Sequence, residues 1–233
     1  MPRANDALLP WPRSPQTPGR PPLDRQRLVT AALELLDQVG LDNLTMRRLA
    51  DHLGVRSASL YWHVRDKDQL LDLLADQMCA EIVPPPPSGD WRADLMSLAQ
   101  VYRAVLLGHR DAATVLATTL PLGPNRLRLA DWMLNVLLQE GFSEPVAARA
   151  GLLWTDYVTN FVLEETRAKH VARLFSGPEH PDALAAVRGW FESLPPDEYP
   201  ALVRLARYLT EPDAAARFTF GLHVLLDGLA AQR

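Results

Sequence analysis

At 233 residues, with 48% hydrophobic and 22% charged side chains, the chain is long enough to bury a sizeable core and has the composition of a globular protein. It has no run of roughly 18 uncharged apolar residues to span a membrane, and its single cysteine, Cys79, excludes an internal disulfide or a CxxC metal or redox site. The net charge of −4 hides an asymmetry: through Lys67, ten basic side chains face seven acidic ones, a balance of +3 that leaves −7 for the rest, so only the front suits a polyanion.

Residues 1–22 carry prolines at 2, 10, 12, 15, 18, 21 and 22 and are expected to form a disordered arm. The arm lacks the continuous apolar segment of a secretory signal, so a cytoplasmic chain is expected. From Asp24, Leu28, Ala32, Leu35, Leu36 and Val39 recur at helical spacing and Gly40 supplies a stop. Thr45 then caps a short helix with Leu49, Ala50 and Leu53 inward, and Gly54 ends it in the left-handed conformation. A second short helix follows over Arg56 to Val64. Two such helices around a glycine turn make a helix-turn-helix, with Ala50, Val55 and Leu60 in the angle between them.

A longer helix from Asp66 to Val83 carries Leu70, Leu71, Leu74 and Met78 on one stripe and ends at PPPP, 84–87. Helical patterns continue at roughly 90–108, 111–117, 124–140, 143–168, 181–193, 197–210 and 213–230, and nothing alternates as a strand does. The expected fold is all-α, with a DNA-binding domain over 23–70 and a larger domain over 71–233. GLLWTDYVTNFVL, 151–163, is apolar nearly all round, and Leu222, Leu225, Leu226 and Leu229 with Phe218 widen the apolar face of the last helix. These two helices are expected to pair with their copies in a homodimer.

The second short helix carries the chemistry. Side chains at the tip of such a helix enter the major groove, where Ser57 and Ser59 suit base edges or phosphates and Arg56 suits guanine or backbone. Tyr61, Trp62 and His63 present polar tips a turn later, Arg47 and Arg48 open the preceding helix, and Lys67 lies just beyond. The competing reading packs Tyr61 and Trp62 on the body of the protein. No GxSxG, GxGxxG or Walker loop occurs. HRD at 109–111 lacks the other kinase motifs, so Asp111 is read as a helix start, and His170 and His180 lack carboxylates at metal-ligand spacing.

The stretch LVTAALELLDQVGLDNLTMRRLADHLGVRSASLYWHVRDKDQLLDLLA resembles the DNA-binding domain of TetR-family transcriptional regulators, and the likeness continues through WRADLMSLAQVYRAVLLGHRDAATVLATTLP, GFSEPVAARAGLLWTDYVTNFVLEE and FTFGLHVLLDGL, about residues 23–230 in all. The resemblance implies operator contacts at Met46, Arg47, Ser57, Ala58, Ser59, Tyr61, Trp62, His63 and Lys67, with Arg47 reading guanine. Ser57 departs from the glutamine of the tetracycline-responsive members, and serine cannot pair bidentately with adenine, so the operator differs from theirs.

At the ligand end, Val83, Leu98 and Leu116 stand where those members hold magnesium and drug with two histidines and an asparagine. None of the three can ligate a metal, so no cofactor is expected. The resemblance implies instead an apolar cavity lined by Leu98, Tyr102, Leu116, Leu120, Trp132, Trp154, Tyr157 and Phe161, with Thr119 and Glu164 as orienting groups. The expected function is a repressor released from a palindromic operator by a small, mostly apolar inducer other than tetracycline-magnesium. Two alternatives use the same elements: an architectural DNA-binding protein whose core is filled by side chains, and a helical enzyme using Glu164 and His109 in the body cavity.

Overall fold

The computed structural model describes residues 23–175 and 183–232, with the side chains of all but 169–175 and 183. The proline-rich arm, His180 and the side chain of His170 lie outside the described residues. Among those residues there are eleven α-helices, one 3-10 turn and no strand. α1 (Arg25–Val39) starts where the Asp24 carboxylate accepts from the Arg27 N–H at 2.8 Å and stops at Gly40, φ 79°. After the 3-10 turn at Leu41–Asn43, α2 (Met46–Leu53) is capped by the Thr45 hydroxyl and ended by Gly54 at φ 66°, ψ 36°, where only glycine pays no steric cost.

α3 (Ser57–Leu60) is shorter than the stretch to Val64 that the pattern suggests. After Leu60 the chain tightens: both His63 and Val64 donate to the Leu60 carbonyl, at 2.9 and 3.0 Å. The aromatic and β-branched run YWHV is a poor helix former. The tightened turn drops Val64 into the core and leaves Tyr61 and Trp62 outside.

α4 (Lys67–Ala80), capped by Asp66, joins the two regions. Leu70, Leu74 and Met78 are fully buried along it, and the helix packs on α1, on α6 (Ala112–Thr118) and on α7 (Pro124–Gln139). α5 (Trp91–Gly108) and α8 (Glu144–Phe175) pack together, α8 also meets α6, α7 and α11 (Ala214–Ala230), and α9 (Ala183–Glu192) pairs with α10 (Pro200–Leu209). A single cluster of buried apolar side chains runs from Leu28 to Leu226.

Two polar ties brace this frame. Asp76, buried on α4, caps α7 from outside: its carboxylate accepts from the backbone N–H groups of Asn125 and Arg126 at 2.8 and 3.1 Å and from Asn125 Nδ2 at 2.9 Å. The approach needs Gly123 at the start of α7, since a Cβ there would collide with that carboxylate.

The second tie is the loop between α5 and α6. His109 Nδ1 lies 2.9 Å from an Asp37 oxygen and Nε2 3.2 Å from Glu81; the Arg110 N–H donates to Asp37 at 2.9 Å and its guanidinium to the Gln38 carbonyl at 3.1 Å. Asp111, read from the sequence as a helix start and nothing more, does precede α6 but gives it no side-chain cap. Its carboxylate instead accepts from the Leu41 N–H at 2.8 Å, and its backbone sits at φ 59°, a left-handed conformation that aspartate tolerates better than most residues. Burial disfavours the His109 imidazolium, yet hydrogen bonds to Asp37 and Glu81, and their charges, outweigh it and raise the pKa above the usual 6.5.

Two outcomes are expected. Asp76→Ala should cost about 1.5–3 kcal/mol for each charge-assisted hydrogen bond that finds no replacement, read from urea unfolding. A group whose folded pKa is raised lends stability below its unfolded value and loses it as pH rises through the folded one. The melting-temperature advantage of the wild type over His109→Gln should therefore be largest below pH 6.5 and shrink at higher pH, with Asp37, Glu81, Arg110 and Asp111 as the surrounding charges. A gap constant from pH 5.5 to 9 would show that His109 carries no proton-linked stability.

Candidate DNA-contact surface and ligand cavity

The helix-turn-helix is held from behind by Leu49, Ala50, Leu53, Leu60 and Val64, all buried. That leaves its outer side to Arg47, Arg48, Arg56, Ser57 and Ala58, all exposed, with Met46, Ser59, His63 and Lys67 partly so. Trp62 is 88% exposed and Tyr61 53%, which disposes of the reading that packs them on the body. Two of the cations are also structural. Arg48 donates to the Asn43 carbonyl at 3.2 Å and Lys67 Nζ to the Leu41 carbonyl at 3.1 Å, so both grip the 3-10 turn that Asp111 holds from the other side.

In the body, a cavity of about 610 Å³ opens between α5, α6, α7 and α8, with Cys79 of α4 at its wall. The volume suits a drug-sized molecule. Leu98, Tyr102, Leu116, Thr119 and Trp154 line it, as the resemblance implies. Tyr102 and Trp154 meet edge to face, their ring centres 5.9 Å apart. Burial drives the Tyr102 phenol well above its ordinary range, so it stays neutral, against the opposing effect of its hydrogen bond with Thr159. Cys79 is pushed up to about 12, chiefly by burial, and is a small wall group instead of a nucleophile. Trp154 Nε1–H is buried with no hydrogen-bond partner among the described residues, and leaving such a donor unmade costs about 1–3 kcal/mol.

The other expected lining residues fall elsewhere. Leu120 lies past the end of α6 and is mostly exposed, and Trp132 gives way to Met133, one helical step round α7. Tyr157 and Phe161 gather instead around Phe218 of α11, at centroid distances of 5.7 and 5.1 Å, and the Tyr157 hydroxyl donates to the Phe218 carbonyl at 2.7 Å. Glu164 is exposed and faces Arg167; its neighbour Glu165 is the inward carboxylate, bound by Arg103 at 2.7 and 3.0 Å. Neither Glu164 nor His109 lines the cavity, so the arrangement required of an enzyme using both is not present.

Arg126, Leu129, Asp156 and Thr159 also line the cavity, though sequence reasoning missed them. Arg126 lies in the first turn of α7, two residues after Pro124 of a Gly-Pro pair, where no apolar period could mark it.

On the last helix, Leu222 and Leu226 are buried within the chain and Leu225 and Leu229 partly so. The apolar side chains left outside are Phe220 and Val224 on α11 and Leu152 and Leu153 on α8. Among the described residues no His, Cys, Asp and Glu cluster could hold a metal, and no helix is long and apolar enough to cross a membrane.

Known proteins share this arrangement. A sequence model described as "Bacterial regulatory proteins, tetR family" matches residues 28–74, and one described as "Tetracyclin repressor-like, C-terminal domain" matches residues 83–233. The tetracycline repressor protein class A from transposon 1721 of Escherichia coli is 36% identical over 219 residues, 91% of this chain and 92% of that one. The HTH-type transcriptional repressor DrrR1 of Streptomyces coeruleorubidus is 30% identical, covering 93% and 81% of the two chains. The crystal structure of the TetR family protein ActR of Streptomyces coelicolor in complex with actinorhodin superposes with a TM-score of 0.82 at 36% identity, covering 91% of this chain and 97% of ActR. TetR-family regulators bind DNA operators and small-molecule ligands and act as dimers. From the capped helix-turn-helix to the cavity of the larger helical domain, this chain is a member of the TetR family of transcriptional regulators.

Proposed function

We propose that the chain is a homodimeric repressor that leaves a palindromic operator when a small, mostly apolar molecule other than tetracycline-magnesium fills the body cavity. The observation that carries the DNA-binding half is the exposure of Trp62 and Tyr61 beside Arg47 and Arg56. Two neighbouring aromatic rings left outside on the arginine-bearing head form an apolar patch rimmed by charge, the pattern of a surface that meets a partner. The side chains at Val83, Leu98 and Leu116 offer magnesium no ligand, and the related ActR is seen with actinorhodin instead.

In the dimer each α3 enters one major groove, and the two meet successive turns of the duplex only at one separation of the heads. α4 fixes that separation, because it packs both on α1 of the head and on α6 and α7 of the body. Ligand and operator therefore oppose each other through one coupling free energy. Glu164 and the exposed Leu120 have no place in the inducer site in this reading, and the DNA-binding domain over 23–70 shares α4 with the domain beyond it.

Selection of duplexes from random DNA should yield a palindrome, and a protein that preferred no selected duplex over scrambled competitor at moderate ionic strength would end this reading. Arg47→Ala is expected to cost roughly 1–3 kcal/mol on the selected site and little elsewhere. Lys67→Ala should weaken all duplexes alike and lower the salt slope by about one unit. Leu225 packs against the chain's own core, so a charge there would disturb the monomer as well. Phe220→Asp is the cleaner test of the dimer: light scattering should find a folded monomer, and a persistent dimer would place the interface elsewhere.

A further inference from the structure

The cavity contains one positive charge, Arg126, and the partners of that charge are all neutral. Its guanidinium donates to Thr119 Oγ1 at 2.8 Å and, at longer range, to the carbonyls of Thr119, Leu120 and Leu116 at 3.3–3.4 Å. Asp76 is close by but gives its oxygens to the backbone of Asn125 and Arg126 and to the Asn125 amide. Among the described residues no carboxylate is paired with the guanidinium. The field of Arg126 reaches the interior, where it acts to lower the pKa of both Cys79 and Tyr102 against the stronger effect of burial. Neutral carbonyl and hydroxyl partners hold the guanidinium without cancelling its charge, and its planar fork matches a carboxylate.

A second, independent group points the same way. Trp154, also lining the cavity, is 2% exposed, and its indole N–H has no acceptor among the described residues. Buried donors are normally satisfied. The one acid lining the cavity, Asp156, is exposed on α8.

We infer that the ligand of this cavity is an amphipathic acid: a flat, largely apolar body set among Tyr102, Trp154 and Leu116, with its anionic group on Arg126 and an acceptor oxygen on the Trp154 indole. This rests on the reading of the cavity as a ligand site and adds the chemical class.

The test uses two fluorescent probes with one ring system, 8-anilino-1-naphthalenesulfonate and its neutral counterpart N-phenyl-1-naphthylamine, titrated into the full chain. The wild type should bind the anionic probe about tenfold tighter or more, the range of a charge-assisted hydrogen bond. Arg126→Gln should erase that gap by weakening the sulfonate alone, and Arg126→Lys should keep part of it. Trp154→Phe should weaken the anionic probe more than the neutral one, because it removes the donor for the acceptor oxygen while the lost ring volume acts on both.

A wild type with no preference for the anion, a gap that survives in Arg126→Gln, or full affinity in Trp154→Phe overturns the inference. Should Arg126→Gln lose the neutral probe too, its cavity has collapsed, and the wild-type and Arg126→Lys gaps decide. If the neutral probe binds and the anion gains nothing, only the acid is lost and the ligand cavity stands; if neither probe binds, both fall.

Discussion

The apolar stripe of α4 is buried by partners from both regions of the chain. Leu70, Leu74 and Met78 are fully buried, and the helix packs on α1 as well as on α6 and α7, so one helix is a structural member of two regions at once. Close-packed interiors resist small displacements because any gap forfeits contacts along its whole lining. A shift of α6 or α7 must therefore be followed by α4 or paid for in cavities. The buried cluster is continuous from Leu28 to Leu226, so the head and the body share one core through this helix.

The polar contacts reinforce the same route at the places where apolar packing is thin. The 3-10 turn at Leu41–Asn43 buries none of its residues, yet Asp111, Lys67 and Arg48 all bond to it, from the body, from α4 and from α2. On the body side, His109 and Arg110 bind the end of α1 through Asp37 and Gln38. Asp111 holds a backbone conformation that costs most residues energy, and its long-range bond to Leu41 is what the conformation secures. The start of α6 is thus bound to the DNA-binding helices by charge as well as by shape.

The helices were legible where local chemistry and period agree. Asp24, Thr45 and Asp66 all serve as N-caps, Gly40 and Gly54 as stops, and the buried faces of α1, α2 and α4 follow the apolar spacing. The site was legible only in part, because which face of a helix meets a cavity depends on neighbours far away in sequence. On α8, Trp154 faces the cavity, while Tyr157 and Phe161 turn to α11, where Phe218 offers them a better apolar partner. On the same helix Glu165 is drawn inward by Arg103, which leaves Glu164 in solvent. The length of α3 was overread for a related reason: the pattern YWHV suits a helix by spacing, but its side chains are divided between core and solvent by a tighter turn.

Arg126 escaped notice because its role is fixed by three other segments. Asp76 of α4 binds its backbone, Gly123 allows that approach, and Thr119 with the last carbonyls of α6 receives its side chain. The carbonyls at a helix end lack partners within the helix and carry its negative pole, so a guanidinium there is favourably placed. The same guanidinium borders the cavity. The group nearest any ligand charge is therefore also the one that closes α6, while the opposite end of that helix is tied to Leu41 and Asp37. Cavity, α6 and the DNA-binding helices form one chain of contacts in which each link has a named side chain.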